Sequence, residues 1–127
     1  MEALEQKVKI LKNLKTKMIE FLDQLYQLLP AEKDLITLRI LFMDQIPMED
    51  AMEIMINRVL PYATYIQTKN EKFFLECTDI FEGIGDHKVS YFKTLWQSEE
   101  LDEQDKEDLW VWFNYFLTLG KKYKAIM

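Results

Sequence analysis

The first thirty residues carry a long helical repeat of apolar positions. Residues 2–29 contain no glycine or proline, so nothing in their backbone chemistry interrupts a helix. The apolar residues recur at alternating spacings of four and three, with Lys15 standing where the next one is due; they are Leu4, Val8, Leu11, Met18, Leu22, Leu25 and Leu29. This stripe predicts one helix of roughly 40 Å, whose first half can project beyond a small domain.

Prolines divide the middle of the chain into shorter helices. Pro30 ends the first helix and suits the first turn of a second, strongly apolar helix that stops at Pro47. A third helix is predicted from about Met48, because acidic residues in its first turn match the positive end of the helix dipole. Pro61 then kinks this helix or starts a short new one.

The second half of the chain predicts short helices and a long closing one. Asn70 is a suitable N-cap, and the glycine-containing stretch 82–86 predicts a loop whose last residue, Asp86, caps another short helix. An acidic connection leads into a last helix over about residues 102–124. Its aromatic and aliphatic residues at 109–119 point in nearly every direction, which is typical of a buried, central helix. A hydrophobic ligand pocket or a partner-binding groove is the alternative interpretation of these residues.

Composition favours the same all-α fold. The 127 residues include only three glycines and three prolines, fewer than the many turns of an all-β fold usually require. Hydrophobic residues make up 49% and charged residues 30%, which is the balance of a globular chain. We therefore predict a single domain over residues 1–127. It is a compact bundle of five to seven helices with a long N-terminal helix and a buried aromatic C-terminal helix.

Charge is unevenly distributed along the sequence. Residues 1–18 hold five lysines against two glutamates, a net +3, so the remaining chain carries −9 within the overall −6. An acidic body argues against general binding to nucleic acid, which requires a basic surface. The basic segments Lys7–Lys17 and Lys121–Lys124 nevertheless leave one alternative function open, that of a nucleic-acid-associated accessory factor.

Candidate chemical groups are few. A structural zinc site needs about four nitrogen or sulfur ligands, and Cys77 and His87 are the only cysteine and histidine. The acidic stretch 99–108 has no glycine for a calcium-binding loop, and its carboxylates suit a helix start instead. No phosphate-binding glycine motif occurs. These features predict a protein that is not an enzyme and uses no metal or cofactor. The enzyme alternative, a small hydrolase or ligand-binding enzyme, would require a pocket in which Cys77 and His87 converge.

The first helix is the element on which a functional interpretation can be placed. Its stripe can pack on the core or self-associate, its lysines can contact an acidic protein partner, and the two together can lie on an anionic membrane. The predicted partner-binding residues are Leu4, Val8, Leu11, Lys12, Lys15 and Met18. The lone cysteine suits a reducing compartment, and no apolar run is long enough for a membrane span, so we expect a cytoplasmic protein.

Three segments together resemble a known group of proteins. They are PAEKDL (30–35), PYATYIQTKNEKFFLE (61–76) and KTLWQSEELDEQDKEDLWVWFNYFLTLGKKYK (93–124). This combination is similar to small helical proteins of giant nucleocytoplasmic large DNA viruses, although Leu29 stands where those proteins tend to have an aromatic residue. The resemblance implies a viral protein in the host cytoplasm or virion. We therefore expect a non-enzymatic interaction or structural protein, such as a virion or virus-factory component.

Overall fold

The computed structural model describes residues 2–76 and 93–126 of the chain. Over these residues the protein is helical and contains no strand, which confirms the predicted all-α fold class. The predicted loop at 82–86 and the cap at Asp86 lie outside the described residues. The helices are α1 (Glu2–Leu28), α2 (Asp34–Ile40), α3 (Met48–Arg58), α4 (Ala63–Gln67), α5 (Glu71–Glu76), α6 (described over 93–97) and α7 (Glu103–Ala125).

Pro47 sets the end of the α2 segment, whereas Pro30 does not set its start. α1 ends two residues before Pro30, and a turn then separates it from α2, so Pro30 does not start the second helix as predicted. α2 continues into a π-helical turn at Leu41–Gln45. Ile46 is extended, with φ −98° and ψ 118°, because a residue that precedes a proline is disfavoured from helical geometry. The segment therefore stops at Pro47, as predicted.

Caps and turns position the shorter helices. Pro61 lies in a 3₁₀ turn, Leu60–Tyr62, which joins α3 to α4 and accommodates a residue without an amide hydrogen. Before α5, the side-chain oxygen of Asn70 accepts the backbone N–H of Phe73 at 3.0 Å. This hydrogen bond satisfies one of the free amides at a helix start and confirms the predicted N-cap.

α7 begins with a reciprocal cap and then crosses the middle of the bundle. The side chain of Asp102 accepts the backbone N–H of Asp105 at 2.8 Å, and the side chain of Asp105 accepts the backbone N–H of Asp102 at 3.1 Å. The acidic stretch thus serves the helix start, as its sequence predicts. Most of the helix is buried or half-buried, yet Val111 is 66% exposed, so its apolar residues do not all face the core.

Among residues 2–76 and 93–126, two neighbouring clusters form the hydrophobic core. Cluster 1 joins the end of α1 to α4, α6 and α7 and consists of Leu25, Leu29, Ile66, Trp96, Leu101, Leu109, Trp110 and Leu117. Cluster 2 joins the middle of α1 to α3 and α7 and consists of Leu14, Met52, Met55, Ile56, Phe116 and Leu119. Both clusters include residues of α7, so this helix occupies the central position that the sequence predicts. Phe21, Val59 and Leu60 pack against both clusters.

Two hydrogen bonds fix α1 against α7. The indole N–H of Trp112 donates to the side-chain oxygen of Gln24 at 2.7 Å, and the amide of Asn13 donates to the hydroxyl of Tyr115 at 2.9 Å. The first buried residue of α1 is Leu14, and none of residues 2–9 is buried. The body of the bundle therefore covers α1 only from its second quarter onwards.

Candidate functional site

The fold divides the predicted partner-binding residues into two groups. Leu11 and Met18 pack against cluster 2, so these side chains contribute to the core instead of to a free surface. Leu4 and Val8 precede the covered part of α1 and are 60% and 43% exposed. Among the predicted partner-binding residues, the accessible apolar side chains therefore lie in the first two turns of α1.

Lysines border these two apolar residues. Lys9 and Lys12 are exposed, and Lys15 is half-buried. We call Leu4, Val8, Lys9 and Lys12 the basic end of α1. An open concavity of about 540 Å³ runs along it, and its described lining residues are Glu2, Leu4, Glu5, Gln6, Val8, Lys9 and Lys12. Further along α1, the hydrogen bond to Glu20 and the charge of Glu20 raise the pKa of Lys17 above its usual value.

A second apolar surface lies on α2, where the sequence did not place it. None of the residues of α2 is buried. Ile36, Ile40 and Met43 are 44%, 52% and 40% exposed. They follow one another at spacings of four and three, so they share one side of α2 and the π-helical turn. We call these three residues the α2–π strip.

The other side of α2 holds this element on α1. Leu35 packs against cluster 1. The guanidinium of Arg39 donates to the carboxylate of Asp23 on α1 at 2.6 Å and to the sulfur of Met43 at 3.0 Å. Arg39 therefore links α2 to α1 and also restrains one member of the α2–π strip. This contact lowers the cost of ordering Met43 when a partner binds.

A signal for the α2–π strip is present in the sequence. Seven of the nine residues at 35–43 are apolar, and they are distributed around the whole helix. A helix at the edge of a bundle buries one face, so a segment this apolar must leave apolar side chains on the surface. Deciding which side is exposed requires knowing where α1 lies, and the sequence does not contain that information.

Acidic side chains accompany the α2–π strip. Residues 30–53 hold six acidic residues against two basic ones, a net −4. Asp44, Glu49 and Asp50 are exposed. Asp44 follows Ile40 by four residues and so lies on the same side of the element. The α2–π strip is thus an apolar surface in an acidic setting, whereas the basic end of α1 is an apolar surface among lysines.

The described residues hold neither a candidate metal site nor a membrane-spanning helix. In residues 2–76 and 93–126, no three histidine, cysteine or acidic side chains are grouped as metal ligands. No polar or charged side chain in these ranges is buried. Cys77 and His87 lie outside the described residues, so the prediction that they form no structural zinc site stays a prediction. Within the same ranges, no helix combines the length and apolar character that a membrane crossing needs.

Comparisons of this chain with protein-family models, with curated proteins and with solved structures found no match.

Proposed function

We propose that this chain is a non-enzymatic protein-interaction or structural protein that binds a protein partner through the α2–π strip. The observation that carries the proposal is the exposure of α2. No residue of this helix is buried, and its apolar residues Ile36 and Ile40 are exposed to solvent. Covering apolar surface yields about 25 cal/mol for each Å². Contiguous exposed apolar surface is typical of protein interfaces.

The setting that we propose for this interaction is a virion or a virus factory in the host cytoplasm. It is supported by the resemblance of residues 30–35, 61–76 and 93–124 to proteins of giant nucleocytoplasmic large DNA viruses. Mass spectrometry of purified virions and of infected-cell cytoplasm tests this setting. Detection of the protein in neither fraction would contradict it.

Site-specific photo-cross-linking tests the binding surface. A photoreactive amino acid replaces Ile40, which is 52% exposed, in one variant and Ile54 of α3, which is 55% exposed, in a matched control. After irradiation of cells that make the protein, we expect a discrete cross-linked species from position 40 and none from position 54. The proposal fails if position 40 gives no discrete species or if both positions give the same pattern.

The alternative is a nucleic-acid-associated accessory factor that uses both basic segments. One observation favours it. Lys121, Lys122 and Lys124 are exposed, and Tyr123 between them packs against cluster 2, as Ile10 of α1 does. The two basic segments therefore adjoin the same cluster. A mobility-shift assay at low salt tests this function, because phosphate contacts strengthen as salt falls. The absence of any shift would remove the alternative.

A further inference from the structure

The basic end of α1 and the α2–π strip carry opposite charge. The basic end of α1 belongs to a stretch, residues 2–18, with five lysines against two glutamates. The α2–π strip belongs to residues 30–53, with six acidic residues against two basic ones. Opposite charges around apolar surfaces increase the association rate and fix the relative orientation of two proteins. One chain therefore presents both members of a complementary pair of surfaces.

These surfaces lie at different levels along α1. The ion pair between Arg39 and Asp23 places α2 beside the later part of α1. Val8 precedes Asp23 by fifteen residues, which is about 22 Å along a helix, so Leu4 and Val8 lie well before the point at which Arg39 anchors α2. Val8 and Asp23 also lie within about 60° of each other around the helix axis, because each residue rotates the helix by about 100°. The first part of α1 is therefore uncovered, and α2 packs beside the later part of α1 on a similar side.

We infer that the partner of the α2–π strip is a second copy of this chain. The inference rests on the proposed function, because it names the partner of the same surface. In a two-fold dimer the two α1 helices run antiparallel, and the basic end of each lies on the α2–π strip of the other. The uncovered first part of each α1 then lies beside α2 of the other copy. Lys9 and Lys12 approach Asp44 of the second copy, and the same contact forms twice. A two-fold contact of this kind closes on two copies.

Sedimentation equilibrium of the purified full-length chain tests the dimer. At low salt we expect a reversible species of twice the 15.3 kDa chain mass. Added salt should weaken the dimer, because it screens exposed charges. The inference is wrong if the chain stays monomeric at low salt and high concentration, or if it forms open-ended assemblies instead of a closed dimer.

Reversing the charges on either surface provides the sharper experiment. The variant Lys9→Glu/Lys12→Glu and the variant Asp44→Lys/Asp50→Lys change only exposed residues, and circular dichroism checks that both remain helical. Each variant alone should dimerise at least about tenfold more weakly than the unchanged chain. An equimolar mixture of the two should recover association, since each now complements the other. Full-strength dimers of either single variant, or no recovery in the mixture, would overturn the inference.

Apolar substitutions separate the interface from general effects on solubility. Val8→Ser and Ile40→Ser each remove apolar contact from one of the two surfaces and should also weaken the dimer about tenfold. Val111→Ser is the matched control, because Val111 is 66% exposed on α7 and belongs to neither surface. Equal weakening by all three substitutions would contradict the assigned interface.

The cross-linking experiment distinguishes failure of this inference from failure of the proposed function. A cross-link from position 40 to a second copy of the chain, together with a dimer in solution, supports both. If the chain is monomeric and position 40 cross-links to a different polypeptide, the dimer is refuted but the proposed function is supported. The absence of cross-links from position 40 removes both.

Discussion

Two leucines in the first fourteen residues of the chain have opposite surroundings. Leu14 is fully buried in cluster 2 beside Met52, whereas Leu4 is 60% exposed. Leu14→Ala removes buried methyl groups and leaves a cavity, so it should lower the free energy of unfolding by about 2–5 kcal/mol. Leu4→Ala should change it by less than about 0.5 kcal/mol, as a surface substitution does. Urea denaturation measures both, and a large loss at Leu4 would contradict its assignment to the free surface.

Trp96 of α6 contacts both α5 and α7, through its indole N–H and through the face of its ring. Its indole N–H donates to the carboxylate of Glu71 at 2.8 Å, and Lys106 lies 5.9 Å above the ring and 3.7 Å from the same carboxylate. Glu71→Ala removes the hydrogen-bond acceptor beside a side chain with no exposed surface, and should cost about 1–3 kcal/mol.

The conservative variant at the same position separates hydrogen bonding from charge. Glu71→Gln keeps an oxygen acceptor for the indole of Trp96 but removes the attraction to Lys106, whose contribution is small at a partly exposed site. The unfolding temperature should therefore be highest for the unchanged chain, slightly lower for Glu71→Gln and lowest for Glu71→Ala. A Gln variant as unstable as the Ala variant would show that charge dominates.

At the scale of the element, α7 depends on the cap at its start. Asp102→Ala removes the acceptor for the N–H of Asp105 and should reduce the free energy of unfolding by about 0.5–2 kcal/mol. Glu99→Ala is the control, since Glu99 lies in the same acidic connection, is exposed and precedes the helix. Urea unfolding measures both, and equal losses would mean that general charge, not the cap, stabilises the start of α7.

The sequence predicted best those elements whose limits are set locally. Pro47 and Asn70 act through their own backbone and side-chain chemistry, so the end of the α2 segment and the start of α5 agree with prediction. Local chemistry did not predict the placement of α2, because an apolar segment does not specify which of its sides meets α1. The heptad stripe of α1 likewise included Leu4 and Val8 with the core residues, since periodicity alone does not show where the packing partners of a helix end.

At the scale of the whole molecule, shared residues couple the two core clusters. Phe21 packs against both, with its ring 5.7 Å from that of Trp112 and 5.6 Å from that of Phe116. Val59 and Leu60 also pack against both clusters. Losing one cluster would expose side chains that the other needs, so we expect the described bundle to unfold in one cooperative transition.

The positions of the three tryptophans make this cooperativity measurable. Trp96 and Trp110 belong to cluster 1, whereas Trp112 packs against cluster 2, so the fluorescence of a Trp112→Phe variant reports cluster 1 alone. Adding Leu14→Ala then weakens cluster 2 without touching a reporter. If the core is one unit, the fluorescence and circular dichroism midpoints in urea shift together and by the same amount. A fluorescence midpoint that stays in place while the dichroism midpoint falls would show that the clusters unfold separately.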